Sequence, residues 1–239
     1  MANILLIHGS CHGAWCWRDL IPLLSAGGHD ARAIDLPAAG RDKTPPAKVT
    51  LELYRDAIVS ALDTFDGPVI LLGHSAGGYP VSAAALAAPD KIAHLVFLCA
   101  YTPAPGKGMN KRRFDAPYQP MADAVAMDAD GVSYAVNPAK LREKFYGDCS
   151  DELIAFAADH LSPQPQKPQT APIENIEPLR AMPKSFIRCA RDGAVPPEFQ
   201  ITMCEEWPEM TRYDLDSDHS PFLSQPARLA EILNEIANK

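Results

Sequence analysis

The stretch Val69-Ile-Leu-Leu-Gly-His-Ser-Ala-Gly-Gly78 decides the fold. Its four leading apolar residues are typical of a strand buried on both faces, and an alanine-rich helix is predicted to follow. Ser75 therefore lies on a sharp strand-to-helix turn, with a strained backbone and a hydroxyl that stands clear of the sheet. Gly73 and Gly77 have no Cβ that could collide across this turn. The arrangement is typical of a nucleophile elbow.

A Gly-x-Ser-x-Gly pattern also occurs by chance in glycine-rich turns, so its surroundings matter. Here the serine is followed by a helix whose first N–H groups and positive dipole end can stabilise a developing oxyanion. We therefore interpret Ser75 as a candidate nucleophile.

The composition favours a soluble enzyme. The chain has 239 residues, which suits one α/β domain with an insertion, and 22 basic against 30 acidic residues give a net charge of −8. This charge argues against nucleic acid and anionic membranes as partners. The N-terminal stretch has neither a basic n-region nor an apolar run of signal-peptide length, so a cytoplasmic protein is expected. The sequence leaves the oligomeric state open, with a homodimer among the options.

The cysteines are scattered, without C-x-x-C pairs or the Cys/His spacing of a metal site. They are Cys11, Cys16, Cys99, Cys149, Cys189 and Cys204. Their apolar surroundings predict buried thiols.

Apolar runs that end in loops recur along the chain and predict a mostly parallel sheet. The predicted strands cover residues 4–7, 29–36, 69–72, 95–98, 185–190 and 210–215. Helical patterns lie between most of them, including one that Thr50 can cap. This alternation of strands and helices indicates a doubly wound α/β fold.

Residues 102–182 differ from the rest, since they hold 10 of the 23 prolines, no strongly apolar strand and two modest helical patterns. The proline-rich run 163–172 resembles a disordered linker, but the region has too few apolar residues for the second core that a linker would serve. We interpret residues 102–182 as a cap inserted into a core formed by residues 1–101 and 183–239. Candidates for its pocket lining, or equally for its own core, are Phe114, Tyr118, Tyr134, Phe145 and Phe156.

A serine hydroxyl needs a base to activate it, and the base needs an acid to orient it. His219 follows a predicted strand late in the chain, as the order Ser…Asp/Glu…His requires, and a solvated loop histidine is the alternative. His8 and His12 adjoin the loop after the first strand and are expected to hold it by hydrogen bonds. The ring of His74 is expected to point away from the side chain of Ser75.

Several aspartates could supply the acid. Asp192 comes directly after the strand predicted over 185–190, so the sheet would bring it to the same edge as the nucleophile and the base. The loop after strand 95–98 reads Cys-Ala-Tyr and offers no acid. The aspartates nearer to the base in sequence are expected to face solvent; they are Asp214, Asp216 and Asp218. We therefore assign Asp192.

An oxyanion hole needs two N–H donors. One is expected to be the amide of Ala76, directly after the nucleophile. The other is expected to come from the loop after the first strand, from the amide of Ser10. Gly9 allows this loop to fold tightly against the site, although a simple strand-ending turn would explain it too.

Four separate blocks occur in the order found in a known family. They are Leu6-Ile-His-Gly-Ser-Cys-His-Gly-Ala-Trp15, Gly73-His-Ser-Ala-Gly-Gly78, Asp192 with Pro197-Glu-Phe-Gln200, and Asp218-His219. Together they resemble the plant methylesterase and hydroxynitrile lyase branch of the α/β-hydrolases, nearly end to end and least in the cap. The resemblance implies the α/β-hydrolase fold, a Ser/His/Asp triad, no metal or organic cofactor, and small-molecule esters as substrates.

Two positions favour hydrolysis over cyanohydrin cleavage. Lyases of this branch carry threonine where Gly9 stands, and lysine, whose charge stabilises departing cyanide, where Ser220 stands. We therefore expect a serine carboxylesterase. Because the composition of the cap differs from that of the plant hormone esterases, analogy favours a carboxylesterase of the bacterial type. The alternatives are a hydroxynitrile lyase and a non-catalytic small-molecule-binding protein, although the intact set of Ser75, Asp192 and His219 weighs against the latter.

Overall fold

The computed structural model describes residues 1–129 and 131–239. Its strands are β1 (Asn3–Ile7), β2 (Asp30–Ala33), β3 (Val69–His74), β4 (Ile92–Leu98), β5 (Val125–Met127), β6 (Ser133–Val136), β7 (Gln164–Pro165), β8 (Lys184–Cys189) and β9 (Thr211–Leu215). Its α-helices are α1 (Ile21–Ala26), α2 (Leu51–Leu62), α3 (Gly78–Ala87), α4 (Met109–Arg112), α5 (Leu141–Lys144), α6 (Asp151–His160), α7 (Lys167–Thr170), α8 (Glu177–Ala181), α9 (Pro197–Glu205), α10 (Pro221–Ser224) and α11 (Pro226–Ala237). Short 3₁₀ turns connect several of these elements.

The central sheet has the strand order β2-β1-β3-β4-β8-β9, and each neighbouring pair is parallel. Side chains alternate between its faces, so Leu5 and Ile7 pack with α2, α3 and α9 while Ile4 and Leu6 pack with α1 and α11. Both faces are thus covered by helices, and the predicted doubly wound α/β fold is confirmed. The carboxyl ends of β1, β3, β8 and β9 meet at one edge of this sheet, where the predicted site residues lie.

Local signals in the sequence explain several element boundaries. The hydroxyl of Thr50 accepts a hydrogen bond from the Leu53 N–H at 3.2 Å, as expected of a helix cap. Pro22 falls in the first turn of α1, where its missing N–H costs no helical hydrogen bond. The apolar stripe of α11 is buried as predicted from Leu229 to Ile236. By contrast, the strand predicted over 29–36 is shorter, since only Asp30–Ala33 pairs with β1.

The segment between β4 and β8 holds a second sheet that the sequence did not predict. Its antiparallel order is β5-β6-β7, and β7 lies within the proline-rich run, which also forms α7. The strands have only two to four residues, and Gln164 is buried without being apolar. Such strands depend on their pairing partners and leave no periodic pattern in the sequence. The two helical patterns are confirmed as α5 and α6.

The six cysteines are buried free thiols, as predicted. Within the described residues, no helix combines the length and the apolar character needed to cross a membrane.

Candidate active site

Ser75 occupies the turn between β3 and α3 in a strained conformation, with φ of +53°. Its carbonyl accepts a hydrogen bond from the Tyr101 N–H at 3.0 Å, which fixes the turn to the chain beyond β4. A Cβ at Gly73 would lie 2.6 Å from the carbonyl oxygen of Gly77, and one at Gly77 would lie 2.7 Å from that of His8. The two glycines therefore permit the close packing that holds the serine in place.

Asp192 and His219 meet at the carboxyl ends of β8 and β9. The Nδ1 of His219 lies 2.7 Å from Oδ2 of Asp192, and both side chains are buried. Because an ionised carboxylate only accepts hydrogen bonds, Nδ1 carries the proton and Nε2 is left able to take one up. This is the tautomer that a general base for Ser75 requires.

Three further donors hold the Asp192 carboxylate. Its Oδ1 accepts from the N–H groups of Ala194 at 2.7 Å and Val195 at 2.8 Å. Its Oδ2 also accepts from Nε2 of Gln200 at 2.9 Å. These contacts fix the orientation of the carboxylate, and with it the ring of His219. Gln200 lies in the block Pro197-Glu-Phe-Gln200, which the sequence had singled out without a role.

The hydroxyl of Ser75 has no hydrogen-bond partner among residues 1–129 and 131–239. Catalytic hydrogen bonds are often long in ligand-free enzymes and tighten when substrate binds. Ser75 lines the cavity, so its hydroxyl is open to a ligand.

His74 contacts His219 directly. Its Nε2 donates to the backbone carbonyl of His219 at 3.0 Å, and the two ring centroids are 4.5 Å apart. Burial lowers the pKa of His74, so that the ring stays neutral. Cys99 also approaches these two rings. However, the cluster is fully buried and burial raises the pKa of the Cys99 thiol, so this group is poorly suited to holding a metal ion.

The prediction that the aspartates near His219 face solvent is wrong for Asp218. This side chain is buried and accepts hydrogen bonds from the N–H groups of Asp148 at 2.9 Å and Ser220 at 3.1 Å. Burial raises the pKa of Asp218. Its contacts shape the loop that carries the base and do not reach the imidazole ring. Asp216, in contrast, is exposed as predicted.

The loop after β1 reaches the same edge of the sheet. Ser10 and Ala76 line the cavity together with Ser75, as a pair of oxyanion-hole amides must. A Cβ at Gly9 would lie only 2.9 Å from the Cβ of Ser75. The absence of a side chain at Gly9 therefore lets the loop lie against the elbow.

His8 and His12 hold this loop, as expected. His8 donates from Nδ1 to the Gly9 carbonyl at 2.8 Å. His12 donates from Nδ1 to the Ser10 carbonyl at 2.8 Å, and its Nε2 accepts from the hydroxyl of Tyr146 at 2.7 Å. Burial lowers the pKa of His12 to about 3, so the ring is neutral at physiological pH.

Polar side chains from the second sheet and from α7 also hold the loop, a role that was not predicted from the sequence. The hydroxyl of Ser10 lies 2.8 Å from Nε2 of Gln169 and 3.1 Å from the hydroxyl of Tyr134. The N–H of Cys11 donates to Oε1 of Gln164 at 3.2 Å. Gln164 lies in β7 and Gln169 in α7, both within the proline-rich run, where no local pattern distinguishes a buried amide from a solvated one.

A cavity of about 330 Å³ opens beside Ser75. Aromatic side chains from the segment between β4 and β8 form much of its wall, namely Phe114, Tyr118, Tyr134 and Phe145. Of the two alternatives left open for Phe156, cavity lining is excluded, since its ring packs against Trp15 and His160. A cavity of this size and mixed lining suits a small organic molecule.

Comparisons with known proteins agree with this geometry. Residues 4–232 match the model of the alpha/beta hydrolase family. Methylesterase 7 of Arabidopsis thaliana is 32% identical over 99% of this chain and 96% of its own length. Polyneuridine aldehyde esterase superposes with a TM-score of 0.88 at 28% identity, covering 99% of each chain. A pyrethroid hydrolase from Sphingobium faniae gives a TM-score of 0.85 at 29% identity, covering 99% of this chain and 97% of its own. The chain therefore belongs to the alpha/beta hydrolase family and, within it, to the methylesterase branch.

Proposed function

We propose that this protein is a serine carboxylesterase that hydrolyses small-molecule esters through an acyl-enzyme. The observation that carries the proposal is the buried hydrogen bond between His219 and Asp192, at the same sheet edge as a strained Ser75 that faces a cavity. Relatives named as methylesterases and esterases support the same reaction class.

In the first half-reaction, the Oγ of Ser75 attacks the ester carbonyl carbon while Nε2 of His219 takes its proton. The negative charge that develops on the carbonyl oxygen is stabilised by the amides of Ser10 and Ala76. The C–O bond to the alcohol then breaks, and the leaving alkoxide takes the proton from His219. In the second half, His219 deprotonates a water molecule that attacks the acyl-enzyme, and the acid leaves as Ser75 recovers its proton.

We assign residues 102–182 the role of a cap over this site. Strands β5 and β6 line the cavity together with Phe114, Tyr118 and Phe145, and Gln169 and Tyr134 contact the hydroxyl of Ser10. The free buried cysteines are compatible with a reducing compartment, so we place the enzyme in the cytoplasm.

Cyanohydrin cleavage is the alternative that the site favours less. The residue directly after His219 is Ser220, which is fully buried. Because a serine side chain carries no positive charge, it cannot stabilise a departing cyanide. Measurement of cyanide release from mandelonitrile would test this alternative directly.

The substitution Ser75→Ala tests the proposal. The variant should hydrolyse 4-nitrophenyl acetate more than about a thousandfold more slowly than the wild type and should not be labelled by a fluorophosphonate. Ser60→Ala, on the exposed face of α2, is the matched control and should keep both properties. Retained turnover in a folded Ser75→Ala preparation would overturn the mechanism. Failure of the wild type to react with the fluorophosphonate would favour a non-catalytic binding protein.

A further inference from the structure

The cavity beside Ser75 contains one fully charged side chain, that of Arg113, among the described residues that line it. No carboxylate is among those lining residues, which are otherwise apolar, aromatic or neutral and polar. The chain as a whole carries a net charge of −8, so this local positive charge runs against the overall balance.

Arg113 has no ionic partner within residues 1–129 and 131–239. Its Nε is buried without a hydrogen bond, and its guanidinium lies 4.6 Å from the ring centroid of Phe114. The nearby Arg112 shows the contrast, since it contacts Asp115 at 2.9 Å and also pairs with Glu206. The carboxylates around α4 are thus engaged by other cations, and Arg113 is left facing the cavity.

Asn110 lies one helical turn before Arg113 and lines the same cavity. Its Oδ1 is buried without a partner, and the described residues give its side-chain NH₂ no acceptor either. A buried N–H group without an acceptor is costly, as at Nε of Arg113. A planar, negatively charged acceptor on a ligand would pair with the N–H groups of Arg113 and with the NH₂ group of Asn110, whereas Oδ1 of Asn110 can only accept.

The pair shares the cavity with the nucleophile. Ser75, Tyr101 and Arg113 all line this cavity, and the N–H of Tyr101 donates to the carbonyl of Ser75. Burial raises the pKa of Tyr101, and the charge of Arg113 acts in the opposite direction. Because Ser75 and Arg113 line one cavity, a ligand that fills it can contact both.

We propose that the preferred substrates are esters that carry a second, ionised carboxyl group, which Arg113 binds with the help of Asn110. The proposal rests on the esterase function proposed above. A carboxylate fits better than a phosphate dianion, because the cavity offers a single positive charge. The guanidinium matches a carboxylate with two parallel hydrogen bonds, and the non-reacting carboxylate then orients the ester carbonyl towards Ser75.

Matched pairs of esters test this proposal. Mono(4-nitrophenyl) glutarate and 4-nitrophenyl pentanoate have acyl chains of equal carbon number, and only the first bears a carboxylate. A second pair, 4-acetoxybenzoate and phenyl acetate, places the carboxylate on the alcohol side. Arg113→Met should lower the kcat/KM ratio of anionic to neutral ester by about 10- to 100-fold in at least one pair, mainly through KM. Arg113→Lys should recover part of that ratio.

Lys111→Met is the matched control, because Lys111 is exposed in α4, two residues before Arg113, and does not line the cavity. It removes the same unit of charge and should leave the ratios unchanged. Equal effects of Arg113→Met on charged and neutral esters in both pairs, or equal effects of the two variants, would overturn the proposal while the esterase function stands.

Binding keeps the proposal testable if turnover fails. Glutarate should bind to the Ser75→Ala variant in a calorimetric titration, and addition of Arg113→Met should weaken it by about 10-fold or more. Binding that is independent of Arg113 would overturn the carboxylate site. Absence of hydrolysis by the wild type with any of the four esters would instead count against the proposed function.

Discussion

Replacement of Asp192 by asparagine tests the geometry at the site most directly. The carboxylate accepts from four N–H donors, of which the two backbone groups of Ala194 and Val195 hold Oδ1 in place. An asparagine must keep its oxygen on those two donors, so its NH₂ group turns towards Nδ1 of His219 and Nε2 of Gln200. Both of those nitrogens carry hydrogens in the native structure.

The conflict at His219 can be relieved only by a change of tautomer. If Nδ1 accepts from the asparagine, Nε2 carries the proton and can no longer take one from Ser75. We expect kcat to fall by about ten-thousandfold, or about 5.5 kcal/mol in activation free energy. In the variant, the NH₂ group of the asparagine faces the NH₂ group of Gln200, and neither can accept a hydrogen bond. This contact should lower the free energy of unfolding by about 1–3 kcal/mol. Single-turnover hydrolysis of 4-nitrophenyl acetate and urea unfolding measure the two effects separately.

Asp218→Asn is the matched control, because Asp218 is buried beside the base in sequence and does not contact its imidazole. It should lose stability to a similar degree but keep kcat within about tenfold of the wild type. A folded Asp192→Asn enzyme with more than a tenth of the native kcat would refute the argument. A loss at Asp218 as large as that at Asp192 would also refute it.

Three further predictions concern the frame around the site. Thr50→Ala removes the acceptor of the Leu53 N–H and should lower the free energy of unfolding by about 1 kcal/mol in urea. Gly77→Ala places a Cβ 2.7 Å from the backbone oxygen of His8, so we expect a loss of about 1–3 kcal/mol and a lower kcat in the ester assay. Acid should destabilise the protein through His12, whose pKa is about 3 when folded against 6.5 as the ordinary value. The unfolded chain binds the extra proton, so this contribution is complete above pH 6.5 and is lost towards pH 3, at about 1.4 kcal/mol per pH unit.

Each of these predictions has a control variant that isolates the proposed cause of the effect. Ser60→Ala, at an exposed position of the same helix, should leave stability nearly unchanged, and an equal loss would contradict the capping argument. Gly28→Ala meets no atom within 4 Å but has φ of +85°, so it should cost stability without affecting kcat. His12→Gln should reduce the dependence of unfolding free energy on pH by one proton, and an unchanged slope would contradict the assignment.

Much of the fold was predictable because its signals are local. Aliphatic runs such as Ile4–Ile7 and Val69–Leu72 have apolar side chains on both faces of the strand, so both faces must be covered by helices. The helix cap at Thr50 is recognisable from a few neighbouring residues. The second sheet was not predictable, since β5, β6 and β7 are short and mixed in character. Their stability comes from pairing between strands that are distant in the chain.

From the sequence alone an elbow was predicted at Ser75, because a buried strand runs directly into Gly-x-Ser-x-Gly and a helical pattern follows. The sequence also indicated Asp192 and His219, since parallel strands deliver their following loops to a single edge. Only the tertiary structure decided that Asp218 is buried, that Phe156 lies away from the cavity, and that Gln164 and Gln169 hold the loop of Ser10. These outcomes depend on which distant backbone groups a polar side chain meets, and no local pattern encodes that. For the same reason, the unpaired Arg113 beside its fully paired neighbour Arg112 could be recognised only in three dimensions.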